Sequence, residues 1–166
     1  MPNAVESYSR LERRFHDICV LGDTIRVLHW DQATMMPPRG AEARSEQLAR
    51  LEVLRHERLT APETTVLLAD AEAGAAGLGP WQSANLREMR RLADQAGAVP
   101  EDLVAAHSRA SSLCEGVWRE ARRDSDFAAV RGNLQTVLDL TRQTAEARAA
   151  ALGGSPYDAL LAEYEP

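Results

Sequence analysis

The sequence contains no lysine: all of its nineteen basic residues are arginine, against twenty-five acidic ones, for a net charge of -6. A duplex-binding protein needs a basic stripe to neutralise phosphates, and here acidic neighbours dilute every arginine, so nucleic acid is not expected as a partner. Aromatic residues make up only 5% of the chain, so the core must be assembled from Leu, Val, Ile and abundant Ala, which suits closely packed helices better than sheets. No apolar run reaches membrane-spanning length. Met1-Pro2-Asn3-Ala4-Val5-Glu6-Ser7 has neither the basic nor the apolar segment of a secretory signal, so a cytoplasmic location is expected. The two cysteines, Cys19 and Cys114, lie far apart inside helical patterns and read as small buried hydrophobes without a disulfide.

The periodicity predicts an all-α chain of about six helices, arranged as antiparallel hairpins in one helical domain, plus a short C-terminal helix. Its strongest signal is the recurrence of Val5, Tyr8, Leu11, Phe15, Ile18, Leu21, Ile25 and Leu28 at steps of three and four, which defines a first helix ending near Trp30. From Asp31 to Gly40 the pair Pro37-Pro38 implies an extended connector. A second helix spans about Ala41 to Arg58, with Leu48, Leu51 and Leu54 on one side. Thr60-Ala61-Pro62-Glu63 reads as a capping box opening a third helix to about Ala73. The glycine-rich run from Gly74 to Pro80 reads as a flexible linker.

The fourth helix, about Trp81 to Ala96, should turn Trp81, Leu86, Met89 and Leu92 inward. Pro100-Glu101-Asp102 opens a fifth that ends near Arg123, its acids suited to the positive end of the helix dipole. A sixth, from about Asp126 to Leu152, should bury Phe127, Val130, Leu134, Val137 and Leu138 and stop at Gly153-Gly154. Ser155-Pro156-Tyr157-Asp158 is a second capping-box start.

None of the familiar catalytic patterns is complete. A helical zinc peptidase needs two histidines one turn apart with a glutamate between them, and only His56-Glu57-Arg58-Leu59-Thr60 begins that way, with Thr60 where the second ligand should be. No histidine follows a glutamate at the three-residue spacing of di-metal carboxylate bundles. Glu12 and His16, one turn apart, read as a solvated pair. Neither Ser111-Ser112 nor Cys114 has His107 or an acid in a recognisable nucleophilic arrangement, and Gly74 to Gly79 lacks the Lys-Ser/Thr end of a phosphate loop. Met35-Met36 reads as packing against a neighbouring helix. No catalytic, cofactor-binding or metal-binding residue is therefore expected in this chain.

The segment Leu28-His29-Trp30-Asp31-Gln32, continuing through Met36-Pro37-Pro38-Arg39-Gly40-Ala41-Glu42-Ala43-Arg44-Ser45-Glu46-Gln47-Leu48, resembles the N-terminal signature of the M32 metallocarboxypeptidases, the Taq type. Further likenesses follow in family order: His56 to Thr60, Asn85-Leu86-Arg87-Glu88, Val99-Pro100, Trp118 to Arg122 with Asp126-Phe127, and Tyr157 to Leu161 with Tyr164-Glu165-Pro166. The resemblance implies a helical, cleft-containing zinc exopeptidase that trims peptide C-termini and works as a homodimer. It also implies that the zinc motif and the substrate-carboxylate motifs lie downstream of Tyr164-Glu165-Pro166, so that the match covers roughly the first third of a full member, one wall of the cleft. Two expectations follow: an N-terminal piece of such an enzyme, inactive alone, or a stand-alone helical module that binds a partner or a peptide. Both leave an apolar stripe uncovered, so self-association or docking on the missing region is expected. Trp30 and Asp31 are taken as packing residues.

Overall fold

The computed structural model describes residues 4–164, apart from the side chain of Pro38. The readings placed on Met1-Pro2-Asn3 and on Glu165-Pro166 lie outside the described residues. The described chain is a succession of α-helices: α1 (Ala4–Thr34), α2 (Ala41–Thr60), α3 (Pro62–Ala73), α4 (Pro80–Gly97), α5 (Glu101–Arg123), α6 (Phe127–Leu152) and α7 (Pro156–Leu161). Short 3-10 turns at Pro38–Gly40 and Ala75–Gly77 complete it, and no strand occurs among the described residues.

Two apolar clusters organise the helices. The larger joins Tyr8, Leu11, Phe15 and Ile18 of α1 to Leu59 of α2, Leu67, Leu68 and Ala71 of α3, and Leu86 and Met89 of α4. Each large side chain buried there contributes about 1.5–3 kcal/mol. Tyr8 is fully buried, and its phenol oxygen accepts from Asn85 Nδ2 at 2.9 Å, which offsets part of the cost of taking that oxygen out of water. The smaller cluster holds Cys114 and Ala121 of α5 against Val130 of α6, with Val117 and Val137 half-buried beside them. Between the two, α2 lies along α5, and Arg109 of α5 forks onto the carboxylate of Glu46.

Several boundaries differ from the sequence reading. Helix α1 continues four residues past Trp30, to Thr34, and only then do the amides of Met35 and Met36 close on the Asp31 carbonyl at 2.8 and 2.9 Å. The expected extended connector shrinks to Pro37 and its neighbours, because Pro38–Gly40 already winds as a 3-10 turn into α2. Thr60 forms no capping box. Its hydroxyl donates back to the His56 carbonyl at 2.9 Å, and the Glu63 carboxylate turns instead to Arg10 and Arg14. Arg14 also donates to the Arg58 carbonyl near the end of α2 (3.1 and 3.2 Å) and to the Thr64 hydroxyl, placing a cation at the negative end of that helix.

The stop at Gly153-Gly154 and the box at Ser155 are as expected. Both glycines adopt positive φ (87° and 86°), the Ser155 hydroxyl accepts from the Asp158 amide, and Asp158 accepts from the Ser155 amide, each at 3.2 Å. Gly74 is required for a different reason, since a Cβ there would meet the Ala4 Cβ at 2.3 Å.

Exposure corrects a further set of expectations. Cys19 is exposed, and only Cys114 is buried. Trp81 is 82% exposed and Phe127 65%, while Leu134 and Leu138 are also open to solvent. Trp81 points in nearly the same direction around α4 as the half-buried Leu92, so its phase is correct. What it lacks is a neighbouring element over the first turn of α4.

Candidate functional site

The C-terminal third of α1 carries Trp30, Asp31 and Gln32, and the helix turns the three side chains to different neighbours. Trp30 is 62% exposed, so it is not the packing residue that the sequence suggested. Asp31 accepts from Arg44 Nη2 at 2.6 Å, and Arg44 also donates to the Leu28 carbonyl (2.6 Å) and to Gln47 Oε1 (3.1 Å), fastening α1 to the first turns of α2. Gln32 is buried and faces α5. Its Nε2 donates to the Ser112 carbonyl and to Glu115 Oε2, both at 3.2 Å, and its Oε1 accepts from the Ser112 hydroxyl at 3.0 Å. Glu115 is held in turn by Arg119, whose other guanidinium nitrogen donates to the Ala33 carbonyl at 3.0 Å, one of the acceptors that the end of α1 leaves open. The signature is therefore a three-helix joint among α1, α2 and α5.

Other segments named in the sequence behave in the same way. Asn85 ties α4 to Tyr8 of α1, and Asp126 caps α6 by accepting from the Ala129 amide at 3.1 Å. Arg122 stacks over the Trp118 ring, 5.3 Å from its centre. Met36 is half-buried and Met35 is 70% exposed, so only the first fits the packing reading.

The histidines are dispersed. His16 and His29 are exposed, and no hydrogen bond joins His16 to Glu12. His56 is half-buried, and loss of water pushes its pKa down, against the opposing pull of Glu101 and Glu57. His107 behaves alike: burial lowers its pKa first, Glu163 opposes the shift and Arg148 adds to it. The Thr141 hydroxyl donates to the Val137 carbonyl at 2.8 Å, which leaves its oxygen to accept from His107 Nε2–H at 3.1 Å. Cys114 is a buried thiol whose pKa burial raises, the opposite of what a thiolate nucleophile needs. Among the described residues no group of three or more His, Cys, Asp or Glu side chains comes together in a way that could hold a metal ion. No such set among the described residues fits zinc.

What the helices do form is an apolar groove of about 280 Å³ between α5 and α6, lined by Cys114, Trp118, Val130, Leu134 and Val137, with Ser111 and Glu115 at its edge. Phe127 and Leu138 lie exposed on the same helix, α6, as Leu134. Sequence periodicity identified the apolar residues of this face and assigned them to a core. Only the packing shows that Phe127, Leu134 and Leu138 stay exposed while Val130 is buried.

The model of the carboxypeptidase Taq (M32) metallopeptidases matches residues 10–166. The chain belongs to this family. Thermostable carboxypeptidase 1 of Thermus thermophilus is 38% identical over 146 residues, which are 82% of this chain and 29% of that protein. Among solved structures, metallocarboxypeptidase 1 of Trypanosoma cruzi superposes with a TM-score of 0.73 at 34% identity, over 94% of this chain and 31% of that one. A Pyrococcus furiosus carboxypeptidase gives 0.71 at 30% identity, over 97% and 31%. This M32 chain thus spans somewhat under a third of the relatives it matches, and within that span Asp31, Gln32 and Arg44 serve as helix joints. No described helix is long and apolar enough to cross a membrane.

Proposed function

We propose that this M32 chain is the N-terminal helical portion of a zinc-dependent metallocarboxypeptidase and is not catalytic by itself. The observation that carries the reading is the pairing of a family match over nearly the whole chain with coverage of only 29–31% of the relatives. In this reading zinc, its ligands and the groups that grip the peptide's terminal carboxylate belong to the remaining polypeptide, and α1 to α7 build one wall of the cleft and keep water from it. The α5–α6 groove and the exposed Phe127, Leu134 and Leu138 are the surface on which that polypeptide docks, and in its absence a second copy of the chain occupies it. The free thiols of Cys19 and Cys114 suit a reducing compartment, the cytoplasm.

The exposed groove also supports a second reading, a stand-alone helical module that binds a partner or a peptide without hydrolysing it. The two are separated by sequencing the reading frame beyond Pro166 and by co-purification. The first requires a continuing frame or a separately encoded zinc-bearing M32 polypeptide that binds the groove. A stop codon, with no such polypeptide in the genome, contradicts it.

A further inference from the structure

A polar hollow of about 200 Å³ opens where the first half of α1 meets the α2–α3 corner, on a different set of residues from the apolar groove. Arg10, Arg13, Arg14 and Asp17 line it from α1, Arg58 from the last turn of α2, and Glu63 from the first turn of α3, with Leu67 as its apolar side. Residues 10, 13, 14 and 17 follow the three-and-four spacing of one helix face, so α1 delivers three guanidiniums to one side of the hollow.

The charges within it do not cancel. Glu63 is shared by Arg10 (2.9 Å) and Arg14 (3.0 Å), and Arg14 also donates to the Arg58 carbonyl and the Thr64 hydroxyl. Arg14 is thereby immobilised, with its side chain only 13% exposed. Arg13 and Arg58 make no side-chain hydrogen bond or ion pair among the described residues, and Arg10 keeps Nε and Nη1 free of the contact with Glu63. Asp17 makes no ion pair either and is the one carboxylate that would compete with a bound anion. Four guanidiniums against two carboxylates leave two positive charges, in a chain whose net charge is -6.

Like charges gathered without counterions repel one another, and guanidinium forks match the oxygens of phosphoryl groups in pairs. We propose that this hollow binds a doubly charged oxyanion of the phosphoryl class, held by Arg13 and Arg58 and completed by the free edge of Arg10. Arg14 and Glu63 form the floor, which holds the Arg10 guanidinium and the backbone carbonyl of Arg58. The bound anion ties α1 to the α2–α3 corner, so its occupancy stabilises the helical unit by mass action. Either free phosphate or the phosphate of a small monoester supplies the same chemistry.

The test is a titration of the whole chain with inorganic phosphate, glycerol phosphate and acetate at low ionic strength, followed by amide chemical shifts and by thermal melting. Saturable shifts confined to the hollow, a raised melting temperature with either phosphate and no effect of acetate are expected. The tighter of the two phosphates identifies the source. R13Q and R58Q should each weaken phosphate binding at least tenfold, about 1.4 kcal/mol, while R131Q on α6 leaves it unchanged. Neither Arg13 nor Arg58 uses its side chain to hold the fold, so circular dichroism of the variants should match that of the parent. Shifts that never saturate, equal binding of acetate, or phosphate affinity unaltered in both variants would overturn the proposal.

Discussion

Gln32 and Ser112, eighty residues apart, satisfy one another twice: the Ser112 hydroxyl donates to the Gln32 carbonyl oxygen at 3.0 Å, and the Gln32 amide donates to the Ser112 carbonyl at 3.2 Å. Both residues are buried, so removing the Gln32 side chain leaves the Ser112 hydroxyl without its acceptor and away from water. Q32L should therefore cost about 1–3 kcal/mol in urea unfolding, whereas N85A, which removes a single partner from Tyr8, should cost less. Equal stability of Q32L and the parent would show that the joint is not structural.

At Gly74 the chain comes too close to Ala4 for any side chain. G74A should destabilise by about 1–3 kcal/mol through overpacking, and A4G, which removes the opposing methyl, should restore most of the loss. A double-mutant cycle reads this directly. Additive effects would mean that the two positions do not touch.

The pH dependence follows from His56 and His107, both depressed below their ordinary 6.5 because burial disfavours the charged ring. A depressed histidine binds fewer protons folded than unfolded, so its penalty is absent above about pH 6.5 and grows as the pH falls from there towards the folded-state value. Stability should decline below pH 6.5, and the double variant H56Q/H107Q should show a shallower decline in that window. A parent slope of zero or of opposite sign between pH 6.5 and 5 would refute the assignment.

All three tryptophans are exposed, Trp81 most and Trp118 least. Iodide should quench most of the intrinsic fluorescence of the dilute chain. Concentrating the protein should shift part of the emission to the blue as the α5–α6 groove is covered. W118F should lose that shift, and L134Q/L138Q should weaken the association itself.

Helix number and type were legible because Tyr8 to Leu28 and Val130 to Val137 keep a helical period, and because Ser155 and Gly153-Gly154 are local signals that need no tertiary partner. Thr60 misled because its hydroxyl had two acceptable uses, and the Arg14 guanidinium at the end of α2 took the Glu63 carboxylate that a capping box required. The end of α1 was misplaced for a related reason. Arg44 and Arg119 come from α2 and α5 to hold its last turn, and no local pattern encodes that. Trp81 and Phe127 were given the right helix phase and the wrong surroundings, since periodicity states which way a side chain points and not whether anything waits there.

We propose that the zinc ligands lie outside residues 1 to 166. The most direct measurement is metal analysis of the purified chain after equilibration with zinc, together with release of C-terminal amino acids from a test peptide. The account predicts no stoichiometric zinc and no release. One tightly held equivalent of zinc accompanied by peptide trimming would contradict it.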